Sequence, residues 1–401
     1  MKQIANGLLC ILLVIWMSGC GSSSSGGTSL HEVTPQTPSV TVTGEVKQQF
    51  IQSEESEGNF FDIEVDTIKF VNLEATQQSR IGIIANAFVE GDTIIIIDSS
   101  NKGRLYSFTS AGKFIRSIGG VGNGPGEYGR LGGNHIGSRE IIIADPITAN
   151  VLKYDYNGNV INSFRAEEGV PGGIYPFSDS LMVASHGETE TSAYKFNVRW
   201  LSNGKCVGTA LPYTTNLGTV AGQFSRYDNR TASFTCAYND TIYGIRYNEV
   251  TPLATMGLLT EKDFRQFIAD NAGTSPSRLK QNEMTSEVLP IMVNAYAISA
   301  EKWVLYWQKA QKCFLSILEN GKRTDYKISD MRQQKLFAAG LPVTVTNGNL
   351  IIAIDPMSFE FMDTAAASWW RSRLAAALPE AANPNQAANL NPILAVCHIK
   401  R

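Results

Sequence analysis

The chain has 401 residues, a formal net charge of −3 at pH 7, and hydrophobic side chains at 43% of its positions. Its Lys and Arg residues form no long run, so the sequence predicts no nucleic-acid-binding surface. Aromatic and β-branched residues are plentiful, which indicates a globular body. Without its N-terminal region the chain is long enough for two ordinary domains or for one large repeat fold.

The first residues have the three parts of a secretory signal peptide. Lys2 gives a positive charge, Gly7–Trp16 is an apolar segment, and residues 17–20 (MSGC) form a cleavage site that ends in cysteine. The apolar segment is too short to cross a bilayer, which takes roughly 20 residues. An ordinary cleaved signal peptide, with Cys20 in place by chance, is the alternative.

The cleavage site resembles the lipobox of bacterial lipoproteins. This resemblance implies cleavage after residue 19 and a diacylglycerol on the Cys20 thiol. Acyl chains contribute about 0.8 kcal/mol per buried CH₂, so two or three of them hold a protein stably. We therefore expect a lipid-anchored protein of the cell envelope, at the outer membrane, on its periplasmic side or at the cell surface.

Residues 20–55 are expected to form a flexible tether behind the lipid. The segment starts with GSSSSGGTS after Cys20 and continues with Thr, Pro, Val and Gln. Such a composition buries no core and behaves as a coil. The tether would hold a folded body away from the membrane.

The body, residues 56–401, contains a repeated pattern of a turn followed by a short apolar strand. Examples are GDTIIIID and GNLIIAID, and the first apolar residue of the six copies falls at positions 94, 141, 181, 242, 303 and 350. A second signal, an alternating strand before a tight turn, places glycines at positions 112, 158, 204 and 321. Units of about 40–60 residues with several short strands are typical of a β-propeller.

These units predict an all-β fold, a six-bladed β-propeller with two helical insertions. A pair of β-sandwiches would not give six equivalent units. The insertions are expected at about 260–287, with a helix capped by Thr260, and at 358–388, with a helix that ends at Pro379. The final NPILAVCHIK matches ANVLKYDYNG in pattern, so the second insertion interrupts the last blade. The strand at residues 67–74 is expected to close the ring with that blade.

Several of these segments together resemble the six-bladed β-propeller lipoproteins of Bacteroides and relatives, propellers of the NHL- or TolB-like type. The resemblance rests on FIRSIGGVGNGPGEY, IKFVNLEA, the six IIIID-like strands and NPILAVCHIK, and it covers about residues 60–401. It implies the fold and an envelope location more than an activity.

The glycine-rich run at residues 119–126 could be taken for a phosphate-binding loop. No Lys-Ser/Thr pair follows it and no helix begins after it, so a P-loop is not expected. The simplest interpretation is a connection between blades. The alternative is a ligand-contacting loop on a rigid scaffold, with five candidate ligand-binding residues: Arg116, Asn123, Glu127, Tyr128 and Arg130.

Other reactive residues give no catalytic pattern. Asp98, Asp145 and Asp355 end strands, where carboxylates usually accept backbone N–H bonds in the following turn. No His pair has metal-ligand spacing, and no zinc or other metal site is expected. A disulfide remains possible among four cysteines, Cys206, Cys236, Cys313 and Cys397. Trp369 and Trp370 are expected to pack a helix on the blades or to grip a sugar.

Three functions are compatible with this sequence. The first is a non-catalytic binding or scaffold module, without cofactor, for a protein, peptide or glycan of the envelope. The second is a propeller enzyme, a metal-assisted lactonase-like hydrolase or a polysaccharide lyase. The third is a purely structural part of an outer-membrane complex. Fold alone does not choose among them.

Overall fold

The computed structural model describes residues 36–401 except positions 102, 138–139, 167–168, 187–192, 216–221, 229, 248, 334, 337–339, 361, 388 and 401. Cys20 and the predicted signal peptide lie outside the described residues. Six sheets of four or more strands make up the body. The predicted all-β fold, a six-bladed propeller with helical insertions, is confirmed.

Four short elements precede the first complete blade, and blades 1 to 3 follow. The N-terminal elements are β1 (Gln48–Gln49), β2 (Gln52–Ser56), the helix α1 (Phe60–Ile63) and β3 (Val65–Asn72). Blade 1 is built from β4 (Ile84–Glu90), β5 (Thr93–Asp98), β6 (Arg104–Thr109) and β7 (Phe114–Ile118). The short pair β8 (Gly120–Val121) and β9 (Glu127–Tyr128) leads to blade 2, which contains β10 (Asn134–Ile136), β11 (Ile141–Asp145), β12 (Asn150–Tyr154) and β13 (Val160–Arg165). Blade 3 contains β14 (Gly173–Pro176), β15 (Leu181–Ser185), β16 (Tyr194–Trp200) and β17 (Cys206–Pro212).

Blades 4 to 6 carry the insertions. Blade 4 contains β18 (Gln223–Arg226), β19 (Ala232–Thr235), β20 (Thr241–Arg246) and β21 (Glu249–Thr255), and the helices α2 (Glu261–Asn271) and α3 (Pro276–Thr285) follow it. Blade 5 contains β22 (Ile291–Ala297), β23 (Trp303–Lys309), β24 (Lys312–Glu319), β25 (Lys322–Asp330) and the short β26 (Lys335–Leu336). Blade 6 starts with β27 (Gly340–Thr346) and β28 (Asn349–Ile354), continues through a 3₁₀ helix (Pro356–Glu360), α4 (Thr364–Ala377), α5 (Pro379–Ala382) and α6 (Pro384–Ala387), and returns in β29 (Ile393–Ile399).

The two ends of the described chain close the ring in blade 6. Strand β3 pairs antiparallel with β29, with Asn72 opposite Ile393 and Thr67 opposite His398. The side chain of buried Asn391 supports this joint: its amide donates to the Ser79 carbonyl (2.7 Å) and accepts from the Ile81 N–H (3.0 Å). The predicted closure of the last blade by the strand at residues 67–74 is thus confirmed.

Five of the six apolar repeat strands occupy the second position of a blade, but the fourth does not. Ile242 lies on β20, the third strand of blade 4, next to β19 as the second. Strand β19 has the sequence ASFT, which is short and only partly apolar, so its pattern is weak although its side chains are buried. The alignment of the fourth repeat was therefore wrong by one strand.

The glycine turns lie between the third and fourth strands of four blades. Their glycines have positive φ, for example +82° at Gly112 and +75° at Gly321. At Gly112 a Cβ would come within 2.0 Å of the Asn72 carbonyl oxygen, so a side chain is excluded there on two grounds.

Both helical insertions form as predicted. The Thr260 hydroxyl accepts from the Asp263 N–H at the start of α2 (3.1 Å), and α4 ends before Pro379. Trp370 is fully buried in the core between blades 5 and 6, and Phe61 of α1 contacts it edge-on at 4.7 Å. The Trp369 indole donates to Asp62 (2.8 Å). Both tryptophans therefore serve packing in this structure.

Residues 39–56 run along the outer rim and are here named the N-terminal belt. The Val40 N–H donates to Thr209 of blade 3 (2.9 Å), and the Thr43 N–H donates to Val250 of blade 4 (2.9 Å). Strand β1 then pairs parallel with β21, and β2 pairs parallel with β25. This part of the predicted tether is thus joined to the ring by backbone hydrogen bonds.

Candidate ligand-binding site

One face of the ring, here named the upper face, carries the loops between second and third strands and the connections between blades. Antiparallel strands alternate in direction, so these two kinds of loop emerge on the same side. The upper face includes the connection at 73–83 into blade 1, the loop at 99–103 within it, and both helical insertions. Loops held by such a scaffold are where propellers offer binding groups.

Asp98 fastens two of these loops to each other. One carboxylate oxygen accepts from the N–H groups of Ile83 (3.0 Å) and Ser100 (2.9 Å). The other accepts from the Gly82 N–H (3.3 Å) and the Ser100 hydroxyl (2.9 Å). The connection into blade 1 and its 99–103 loop are therefore fixed by one buried carboxylate.

Asp145 repeats this arrangement in blade 2. It accepts from the N–H groups of Gly129 (2.7 Å) and Arg130 (3.1 Å) and from the Thr148 hydroxyl (2.6 Å). Burial alone would raise the pKa of Asp145, but these hydrogen bonds together lower it. Asp355 accepts from the Met357 N–H (3.0 Å), and its pKa is raised by burial. The three aspartates thus accept backbone N–H bonds, as the sequence predicted.

A cavity of about 510 Å³ opens beside the Asp98 loops. It is here named the blade 1 cavity, and it lies among the connection into blade 1, the 99–103 loop and the start of the glycine-rich run. Val121 contributes an apolar side chain, and the other described side chains of the lining are polar: Gln77, Arg80, Asp98, Ser100, Asn101, Arg104 and Tyr106. This size suits a small organic ligand, since such sites measure about 300–1,000 Å³.

Arg80 and Arg104 give the cavity its electrostatic character. Both side chains are exposed, and neither forms an ion pair with an acidic side chain in the part of the chain that the structure describes. Arg80 donates to the Asn389 carbonyl (3.0 Å), and its own carbonyl accepts from the Tyr106 hydroxyl (3.1 Å). Burial raises the pKa of Tyr106, so this hydroxyl stays a neutral donor. Asp98, the one acid among the described lining residues, already accepts four hydrogen bonds.

The glycine-rich run contributes little to the cavity beyond Val121. Arg116 is exposed on β7 and donates to the Asn157 carbonyl (3.2 Å), and Asn123 is exposed in the loop. Glu127 folds back to accept from the Gly124 N–H (2.8 Å), Tyr128 is buried, and the Arg130 N–H is held by Asp145. Burial raises the pKa of Tyr128 to about 12. None of these five residues lines the blade 1 cavity, and the run connects blades 1 and 2.

Two histidines belong to blades 2 and 3. His135 on β10 packs edge-on against Tyr175, with ring centroids 5.1 Å apart, and burial lowers its pKa to about 4. The pKa of His186 is lowered to about 4 by burial and then by the Arg199 guanidinium, 3.4 Å away. Both imidazoles are therefore neutral at pH 7. Among the residues that the structure describes, no group of three His, Cys, Asp or Glu side chains could hold a metal ion.

The four cysteines of the body are free thiols. Cys236, Cys313 and Cys397 are buried, and burial raises the pKa of Cys397 to about 12. The disulfide that the sequence left possible is not formed.

Within the described residues, no helix combines the length and the hydropathy that a membrane span requires.

Sequence reasoning missed Arg80 and Arg104. They belong to different elements, are separated by β4 and β5, and form no motif. Their local signal is no different from that of any exposed arginine, so only the folding of blade 1 against its entry connection brings them to one cavity.

Comparisons with known proteins agree on the fold. The model of a family described as a domain of unknown function (DUF4934) matches residues 46–359. A predicted exported protein from Bacteroides fragilis superposes with a TM-score of 0.67 at 15% identity, over 88% of this chain and 99% of its own. A member of the DUF4221 family from Bacteroides vulgatus gives 0.52 at 10% identity, over 84% and 98%. A search of curated proteins finds no match. At these identities the structural likeness concerns the fold alone.

Proposed function

The chain belongs to the DUF4934 family, and on that premise we propose that it is an exported, lipid-anchored binding module that takes its ligand on the upper face of the ring. The observation that carries the proposal is the blade 1 cavity, about 510 Å³ in volume and lined by polar groups that have free hydrogen-bonding capacity. Binding groups on a rigid scaffold lose little entropy when a ligand arrives. The partner is a glycan, or a peptide or protein that inserts a polar side chain.

Export is supported by two independent observations. The structural relative from Bacteroides fragilis is named as a predicted exported protein, and the N-terminal sequence has the parts of a signal peptide. The lipid on Cys20 rests on the sequence of its cleavage site. The belt would then transmit the position of the anchor to the rim of the ring at blades 3 to 5.

The anchor is tested by metabolic labelling with palmitate. Wild-type protein should carry label and fractionate with membranes, and Cys20→Ala should lose both properties. Cys10→Ala is the matched control, because Cys10 lies in the apolar segment that precedes the cleavage site, and this variant should keep the label. Label that persists in Cys20→Ala would contradict lipid anchoring.

The binding function is tested with the purified full-length protein on glycan and peptide arrays, followed by a solution titration of each hit. A saturable, non-covalent complex that leaves its ligand intact is the expected result. Turnover of a bound lactone or polysaccharide, lost on substitution of His135 on the first strand of blade 2, would instead favour the enzyme. Absence of any saturable ligand would contradict the binding module itself.

A further inference from the structure

We propose that the blade 1 cavity recognises a sugar that carries an oxyanion, a carboxylate or a phosphate, through Arg80 and Arg104. The proposal rests on the binding function above and specifies the ligand class of that site. It follows from the charge balance of the cavity, from its uncharged polar groups and from the way in which the arginines are held.

The charge balance favours an anion. Two guanidinium groups reach one cavity, and no acidic side chain pairs with either among the described residues. Asp98 at the wall offsets only one of the two positive charges, and both of its oxygens already accept hydrogen bonds from the flanking loops. An arginine presents a planar fork of donors that matches carboxylate and phosphate oxygens. An anionic group is the complement of this arrangement.

The uncharged groups favour a polyhydroxylated ligand. Gln77 and Asn101 are exposed amides, which donate and accept hydrogen bonds. The Ser100 hydroxyl donates to Asp98 and keeps its lone pairs for a further donor. The Val121 side chain, 37% exposed, gives a small apolar surface suited to the C–H face of a sugar ring. A sugar hydroxyl is both donor and acceptor, so it can use each of these groups.

The arginines are held in place before a ligand arrives. Arg104 lies at the start of β6 with its backbone opposite that of Asp98 on β5, and its side chain hydrogen-bonds to Tyr106. Arg80 is tied through its guanidinium to the Asn389 carbonyl and through its backbone to Tyr106. Because Asp98 also fixes the two loops on either side, little ordering remains to be done on binding.

The experiment is a calorimetric titration of the full-length protein with D-glucuronate and with glucose 6-phosphate, with glucose and inorganic phosphate as separate comparison ligands. We expect both anionic sugars to bind more tightly than glucose and than phosphate, and more weakly as salt is raised. Arg80→Gln and Arg104→Gln should each weaken binding about tenfold or more, the loss expected from one charge-assisted hydrogen bond. Arg116→Gln is the matched control, because it removes an exposed arginine of the same blade outside the cavity.

Three outcomes would overturn the proposal. They are equal affinity for glucose and glucuronate, unchanged affinity in both cavity variants, and an equal loss in Arg116→Gln. If the arrays yield a neutral glycan or a peptide whose binding ignores Arg80 and Arg104, the ligand class is wrong and the binding function stands. If no ligand binds in any arm, both are wrong. Because both arginines are exposed, each variant should melt like the wild type, which thermal unfolding checks.

Discussion

The outer sheet edges of blades 4 and 5 differ from those of blades 1 and 2. In blades 4 and 5 the N-terminal belt adds a parallel strand to the fourth strand of each blade. In blades 1 and 2 no strand among the described residues pairs with the outer edges of β7 and β13. These open edges expose apolar side chains, for example Ile115 at 43% and Ile161 at 54%.

The contrast indicates two ways to protect a sheet edge. An added strand satisfies the unpaired N–H and C=O groups directly, whereas an open edge depends on nearby charged side chains and on its short length. In β7 and β13 that charge comes from Arg116 and Arg165. The belted side should therefore depend on belt packing for its stability, and the open side should tolerate substitution at its rim.

The largest expected effect is at Phe50 of the belt. Phe50 is 1% exposed and belongs to the core cluster with Trp303 and Met256. Phe50→Ala should lower the free energy of unfolding by about 3–5 kcal/mol, because it leaves a cavity between blades 4 and 5. Urea titration measures this value. The neighbouring Ile51, 77% exposed, is the matched control, and Ile51→Ala should cost less than about 0.5 kcal/mol. Equal effects would mean that the belt does not pack on the ring.

A smaller effect is expected where the belt touches a glycine. Gly257 has φ of +66°, and a Cβ there would lie 2.2 Å from the Phe50 carbonyl oxygen. Gly91 in blade 1 has φ of +55° with no atom within 4 Å of the same position. Gly91→Ala should cost only the roughly 1–2 kcal/mol of the left-handed conformation. Gly257→Ala should cost more, since the belt must also move. Equal midpoints in urea would contradict close contact at the belt.

The two sides should also respond to pH in opposite directions. Glu283 on α3, beside blade 4, is buried, and burial raises its pKa from 4.5 to about 7. The protonated Glu283 carboxyl therefore contributes its full stability below about pH 4.5, and this contribution is lost as the pH rises to about 7. His135 in blade 2 has its pKa lowered from 6.5 to about 4. Its contribution is present above about 6.5 and is lost as pH falls to about 4.

Two conservative variants separate these contributions. The wild type should lose unfolding free energy as the pH rises from about 5 to above 7, because Glu283 must ionise while buried. Glu283→Gln should lose less over the same range, because it has no carboxyl to ionise. His135→Gln should lose less stability than the wild type between about pH 6.5 and pH 4. Unfolding free energies across this range measure both. Parallel pH curves for the wild type and Glu283→Gln would mean that this carboxyl is not buried in its ionised form.

The smallest effect is expected on the open rim. Ile161→Lys places a charge on the exposed edge of β13 and should change the free energy of unfolding by less than about 0.5 kcal/mol. Urea titration again suffices, with light scattering to record any fall in self-association on heating. A loss above about 1 kcal/mol would mean that the edge is packed, against the exposure of Ile161.

Much of the ring could be predicted because its signals are local. Gly112 and Gly321 occupy turns that need positive φ, and the apolar strands around Ile94 and Leu350 are buried on both faces. The second strand of blade 4 was missed because ASFT has too few apolar residues to form a pattern. The belt was missed because its pairing uses backbone groups, and a polar segment such as QSEES gives no hydrophobic pattern for a strand.

The candidate site could not be predicted to the same extent. The glycine-rich run drew attention by its composition; in it Glu127 accepts from its own loop, and Tyr128 packs in the core cluster between blades 1 and 2. The cavity depends on Arg80 from a connection and Arg104 from a strand. Neither residue has a neighbour in the sequence that marks it.

The sequence by itself determined five of the six repeated strands, the turns, the helical insertions and the closing role of residues 67–74, because each depends on hydrophobic periodicity or on backbone conformation within a short segment. Only the tertiary structure decided that residues 39–56 lie along the rim and that two arginines, without an acidic ion-pair partner among the described residues, share one cavity. These features depend on which segments meet in the folded chain, and backbone pairing and charge proximity leave no mark on local periodicity.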